Sequence, residues 1–218
     1  METPDTGNSQ SRRWAEAAIV GALAYVAIDV ALRFADPWYS LLHNAESDYG
    51  VGPNAWLMDI NFILRGAFSL AAVLAIAGTT SRQARSRAGL ALIGAWAVCS
   101  AMLAFFPDNP VGTPSTPAGR IHLLLAGVAF LAVATGTVLV SVRLGADPAW
   151  RRVRISLLLT SLVAIAPGLV AIITIRMHHG DFGLYERIFL ALEILWILIA
   201  AFAARRAGEW KTATIAAP

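Results

Sequence analysis

The chain has 218 residues, 57% of them hydrophobic and only 14% charged. Soluble domains carry nearer a quarter charged residues, so an ordinary soluble fold is excluded. The net charge of +3 comes from arginine, with Lys211 the only lysine. Arginines gathered at the ends of apolar runs set membrane topology and do not make a nucleic-acid footprint.

Runs of roughly 18 or more apolar residues are long enough to cross a bilayer. Six are read here, at 15–34, 56–78, 88–106, 120–142, 153–175 and 184–204. They predict an all-α membrane protein: a single bundle of six transmembrane helices with both termini cytoplasmic. Residues 1–13 are expected to be a disordered cytoplasmic arm, 14–205 the membrane domain and 206–218 a cytoplasmic tail. Ser11-Arg12-Arg13 resembles a twin-arginine signal. Asp29 interrupts the run behind it and no small-residue cleavage site follows, so the first helix is expected to be retained.

Asp29 and Arg33 are four apart on one helix face and are expected to pair locally. The connection 35–55 is the longest, with aromatic and apolar residues that could fold back onto the bundle. Asn61 and Arg65 share a face of the second helix, where the amide could help satisfy the guanidinium. The second connection carries Arg82, Arg85 and Arg87, and the fourth Arg143, Arg151 and Arg152. Arg12, Arg13, Arg205, Arg206 and Lys211 flank the two ends, so these even connections and both termini are assigned to the cytoplasm. Trp14, Trp150 and Trp210 are expected at that inner boundary, with Trp38, Tyr39, Trp56 and Tyr185 at the outer one. Residues 107–119, rich in Pro, Gly and Thr, are expected to be irregular. Pro167-Gly168 in the fifth helix predicts a kink, and a carbonyl freed there could meet a ligand. Cys99 is the single cysteine, so no intrachain disulfide forms.

All four histidines, His43, His122, His178 and His179, fall at the outer side, together with Asp48, Asp59, Asp108, Asp181, Glu186 and Arg187. Ionisable groups at membrane depth are functional candidates by default. His122, Asp108 and Glu186 are the candidates for acid–base catalysis. Asp48, Asp59, Asp108, His122, Glu186 and Arg187 are the candidates for ligand binding. His43, His122 and His178 are the candidate zinc ligands, although no HExxH or HxxxH spacing is present. Arg65 and Glu193 lie at equal depth, about 12–14 Å below the outer boundary, and are expected to form a buried ion pair. A structural clamp, and a plain solvated rim around it, are the simpler readings of these groups.

Several short motifs stand in order at helix entrances. Ser47-Asp48-Tyr49-Gly50, Gly52-Pro53 and Ala55-Trp56-Leu57-Met58 lead into the second helix. Phe106-Pro107-Asp108 closes the third, Gly119-Arg120-Ile121-His122 opens the fourth, and Gly183-Leu184-Tyr185-Glu186-Arg187-Ile188 opens the sixth. This set resembles the bacterial integral membrane family of domain of unknown function 998 (DUF998), from about residue 17 to 204. The resemblance implies a six-helix fold in the bacterial cytoplasmic membrane and carries no activity. It places emphasis on Asp48, Asp108, His122, Glu186 and Arg187.

The expected function is binding of a lipid or small amphiphile in an outward-facing polar cavity, without a cofactor and with or without a partner membrane protein. One alternative is an intramembrane hydrolase or transferase acting on lipid, by acid–base chemistry or with zinc. Another is a small proton-coupled transporter using Arg65, Glu193 and the Pro167-Gly168 break.

Overall fold

The computed structural model describes residues 6–109, 113–177 and 180–215. Its six helices are α1 (Thr6–Ala35), α2 (Ala55–Thr79), α3 (Arg87–Met102), α4 (Pro117–Leu144), α5 (Arg151–Met177) and α6 (Phe182–Ile215). All six are long and apolar enough to cross a membrane. Each span agrees with its sequence expectation to within three residues at both ends, apart from the start of α1. Helix α1 begins at Thr6, inside the stretch expected to be a disordered arm, and an Arg12–Glu16 pair at 3.0 Å braces its first turns. Helix α6 runs on to Ile215, so the expected tail continues the helix.

Why the helices stay together follows from where the small residues fall. Ala15, Ala18, Ile19, Ala22 and Tyr25 make one buried stripe of α1. They pack on Phe68, Ala71, Ala72, Ala75 and Ile76 of α2 within the same core. Lipid chains are as apolar as leucine, so helices in a bilayer associate through close packing and polar contacts. Gly89 of α3 and Gly136 of α4 show the closeness reached: a Cβ on either would stand 2.9 Å from the other's carbonyl oxygen.

The helices follow one another around the bundle, α6 returns to α1, and α2 and α6 touch across the middle. Helix α5 packs on α4 and α6 and turns Ile155, Leu159, Leu162, Val163, Leu169 and Ile173 outward, as a lipid-facing helix must. It remains helical through Pro167, and Gly168 lets the Phe189 ring of α6 approach it closely. Pro167-Gly168 thus does not interrupt the helix.

Alternating direction puts connections 36–54, 103–116 and 178–181 at one end, here the roof end. Connections 80–86 and 145–150 lie at the other, the arginine end. Trp38 and Trp56 are exposed at the roof end. Trp150 stands at the arginine end, immediately before α5, with its ring buried in the core. Its backbone N–H donates to the Asp147 carbonyl in the turn that leads into α5.

Candidate functional site

The connection 36–54 folds into the mouth of the bundle with its polarity reversed. Trp38, Leu41, Leu42 and Val51 face outward, while Asp36, Glu46, Ser47, Asp48 and Tyr49 are buried. All of these buried residues but Asp36 belong to a 3-10 turn, Glu46–Val51. Asp48 shapes its start: one carboxylate oxygen accepts from the Ala45 N–H at 3.1 Å and from the Asn44 amide at 3.0 Å. Arg187 of α6 ties the segment down, donating to the carbonyls of Asn44 at 2.6 Å and Leu41 at 3.2 Å. Gly183 at the head of α6 is required there, since a Cβ would lie 2.1 Å from the Asn44 oxygen.

Under this roof a polar network joins five elements. The Tyr25 hydroxyl of α1 donates to Glu46. The other Glu46 carboxylate oxygen lies 3.9 Å from the Arg65 guanidinium of α2. The Glu46 backbone N–H donates to Glu186 of α6 at 2.7 Å. Ser47 donates to Asp108 at 2.6 Å, and Asp108 stands 3.8 Å from Nε2 of His122 on α4. The His122 Nδ1–H donates to the Phe106 carbonyl at 2.6 Å. A carbonyl only accepts, so Nδ1 carries a proton and Nε2 is the nitrogen offered to Asp108. The Arg65 guanidinium also lies 5.0 Å from the Trp96 ring centre and 5.2 Å from that of Phe62, within cation–π range.

Electrostatics in the roof follow from burial. The Asp48 carboxyl is raised above its ordinary value, first by burial and further by the nearby Asp108, against the lowering effect of its hydrogen bonds. The Tyr39 and Tyr49 hydroxyls are likewise raised by burial.

Two expected ion pairs are corrected. Arg65 is partnered by Glu46 from the roof, while Glu193 of α6 is buried with neither carboxylate oxygen hydrogen-bonded. Depth along a helix compares helical residues alone and cannot foresee a loop that reaches inward. Arg33 also leaves Asp29 and donates to the carbonyls of Pro37 and Tyr39, both at 3.3 Å, as cations do at a helix C-terminus. Asp29 instead lies within electrostatic reach of Glu46, Arg187 and Arg65.

Of the candidate residues, Asp48, Asp108, His122, Glu186 and Arg187 come together, with Arg65 beneath them. Asp59 is half-buried on α2 and takes no part in the network just described. His43 is at the exposed rim, where it pairs with Gly180 and Asp181 of the α5–α6 connection and not with His122. His178 lies outside the described residues. Among the described residues no three His, Cys, Asp or Glu side chains converge as metal ligands. Sequence reasoning missed Glu46, Ser47 as a donor, Tyr25 and Ser100. Glu46, two residues before the noted Asp48, was the findable one; Tyr25 and Ser100 are lost among apolar neighbours.

Below the roof, α4, α5 and α6 enclose a lipid-facing apolar groove of about 370 Å³, lined among others by Phe130, Leu139, Ile165, Gly168, Leu169 and Phe189. Phe189 is one turn along α6 from Glu186, so the groove begins beside the polar network.

A family described as a protein of unknown function (DUF998) matches residues 19–203, which contain every element of this site. The chain belongs to the DUF998 family. No curated protein and no solved structure matches it. The DUF998 match thus reaches into all six helices, and each motif noted at a helix entrance falls within it.

Proposed function

We propose that this DUF998 protein binds a lipid or small amphiphile at the roof end, with the polar head in the network and the chain along the α4–α5–α6 groove. One observation carries the reading: buried polar atoms of the network stand without partners. Among them are both amide atoms of Asn61, Nε of Arg65 and Nε2 of His122. Buried polar groups in folded proteins almost always have a partner, so such a set marks where a ligand or ordered water bonds. Donors and acceptors are mixed among them, which suits a hydroxyl-bearing head that can do both. The groove supports the second half of the reading, being apolar and open to the bilayer. The roof end is assigned to the outer leaflet and both termini to the cytoplasm by the arginine distribution, in a bacterial cytoplasmic membrane.

The test is the lipid content of detergent-purified protein, wild type beside Asn61→Ala. The expected result is one hydroxyl-bearing amphiphile enriched over bulk lipid in the wild type and lost in the variant. Equal, unselective lipid in both would overturn the reading.

A second reading is favoured by the His122–Asp108 geometry. With Nδ1 fixed by a carbonyl, Nε2 and the Asp108 carboxylate make an oriented acid–base pair for cleaving or transferring a lipid head group. Ser47 bonds Asp108 and not His122, so it is not placed as an activated nucleophile. Metal analysis of wild type and His122→Ala separates a zinc form of this reading from a metal-free one.

A further inference from the structure

Glu193 stands apart from the roof network. It lies seven residues beyond Glu186 on the same stripe of α6, about 16 Å along the helix from its start. It is fully buried and both carboxylate oxygens lack hydrogen-bond partners. Phe189, Leu190, Trp196 and Ile197, one turn away on either side, are buried too. A carboxyl kept in such a place is expensive unless a cation or proton accompanies it. Arg65, the simplest structural partner, is paired with Glu46 and makes no hydrogen bond to Glu193.

The interior between Glu193 and the roof is not uniformly apolar. Asn61 and Arg65 of α2, Ser100 of α3 and His122 of α4 each leave a buried polar atom unpartnered. Their neighbours interlock. The His122 ring meets Phe62 at 5.8 Å, Arg65 lies over Trp96, Trp96 meets Phe130 at 6.2 Å, and Phe130 meets Phe189 at 4.9 Å. Phe189 is one turn from Glu193. On the arginine side of Glu193 the nearest polar side chains are closed on one another or on the backbone. Ser69 accepts from Trp96, Ser141 accepts from Trp196, and Ser141 and Ser161 donate to helix carbonyls. Nitrogens of Arg85, Trp150 and Arg154 stand unpartnered only beyond this closed layer, at the arginine end itself, so the unsatisfied groups next to Glu193 lie on the roof side.

We propose that Glu193 is a proton-exchange site at the centre of the bundle, served from the roof end through the lane of Asn61, Arg65, Ser100 and His122. The titratable and charged groups on the elements packed against α6 fit a one-sided connection. Tyr25 and Asp29 of α1, Asp59 and Arg65 of α2, His122 of α4, and Glu46 and Asp48 of the roof lie at its depth or nearer the roof. Glu186 of α6 itself is also on that side. Glu16 of α1, the arginines opening α5 and Arg205 of α6 are gathered at the arginine end, where Glu16 faces both Arg12 and Arg205. This inference shares Asn61, Arg65 and His122 with the amphiphile reading but adds Glu193, which that reading does not use, so the lipid test and the labelling test can fail separately.

The test uses the full chain in proteoliposomes and dicyclohexylcarbodiimide, an apolar reagent that adds to protonated carboxyls, with the modified residue located by peptide mass spectrometry. Glu193 is expected to be labelled, with Glu193→Gln as the control for assignment. The labelling rate is expected to fall about tenfold or more when the pH on the roof side is raised from 6 to 10, and to ignore the other side. The wild-type measurement stands by itself should the variant fold poorly. Absence of label at Glu193, a rate indifferent to roof-side pH, or a rate following the arginine side would each overturn the proposal.

Discussion

Both ends of the bundle bury an aspartate in a connection, and the two differ in what surrounds it. At the arginine end Asp147 accepts from the Ser81 N–H at 2.8 Å with one oxygen and from the Ala149 N–H at 3.0 Å with the other. Its carboxylate is fully used, and it joins the 80–86 connection to the start of α5. At the roof end Asp48 also caps backbone, but the network beside it leaves Asn61, Arg65 and His122 with unspent hydrogen-bonding atoms. Polar burial that closes on itself is architecture. Polar burial with surplus is where a folded protein keeps room for something else.

The comparison breaks most visibly at Arg65. Removing the guanidinium leaves the Glu46 carboxylate buried against Tyr25 and Glu186 with no cation at hand. Arg65→Ala is expected to destabilise by about 3–5 kcal/mol, the usual cost of breaking one partner of a buried pair. Thermal unfolding in detergent measures it. Adding Glu46→Gln should restore much of the loss, whereas adding Glu193→Gln should restore none. Rescue by the Glu193 change would return the ion pair to α2 and α6.

At the arginine end the expected loss is smaller and of a different kind. Asp147→Ala orphans two backbone N–H groups and should cost about 1–3 kcal/mol. It should leave the purified protein's lipid content unchanged, because the Asp147 carboxylate is spent on backbone N–H groups far from the roof network. Altered lipid retention in this variant would undo the division between the two ends.

How much of this could be read from the chain alone depends on the length scale of the signal. The helices were legible because apolar runs of membrane length have few alternative explanations, and the six spans came out where expected. Asp48, Asp108, His122, Glu186 and Arg187 were legible because each stands at a helix entrance, where the axial order of the helices brings them to one end. Glu46 was not, since its contact with Arg65 depends on a loop turning inward and burying its polar face while Leu41 and Leu42 turn out. Ordinary hydropathy predicts the reverse. Trp150 likewise stands at the end where its arginine neighbours put it, but nothing in the sequence showed that its ring would pack into the core.

The finest distinction between the ends lies in their response to pH. Burial raises the Asp48 carboxyl above its ordinary 3.8, so the folded state holds this proton more tightly than the unfolded state does. Protonation therefore favours folding. The stability it supplies is complete below the unfolded value and is lost as pH rises through the raised folded one. Asp48→Asn fixes a neutral side chain at every pH and keeps an oxygen to accept from Asn44 and Ala45. The variant's unfolding temperature relative to wild type is expected to be lowest in acid and to climb as pH increases toward neutrality. Subtracting one curve from the other cancels the remaining titratable groups to the extent that they do not contact Asp48, and Asp108 is the main neighbour that does. A difference flat across this range would mean that the Asp48 hydrogen bonds offset burial completely. The roof aspartate would then be as self-contained as Asp147, and the surplus at that end would rest on Asn61, Arg65 and His122 alone.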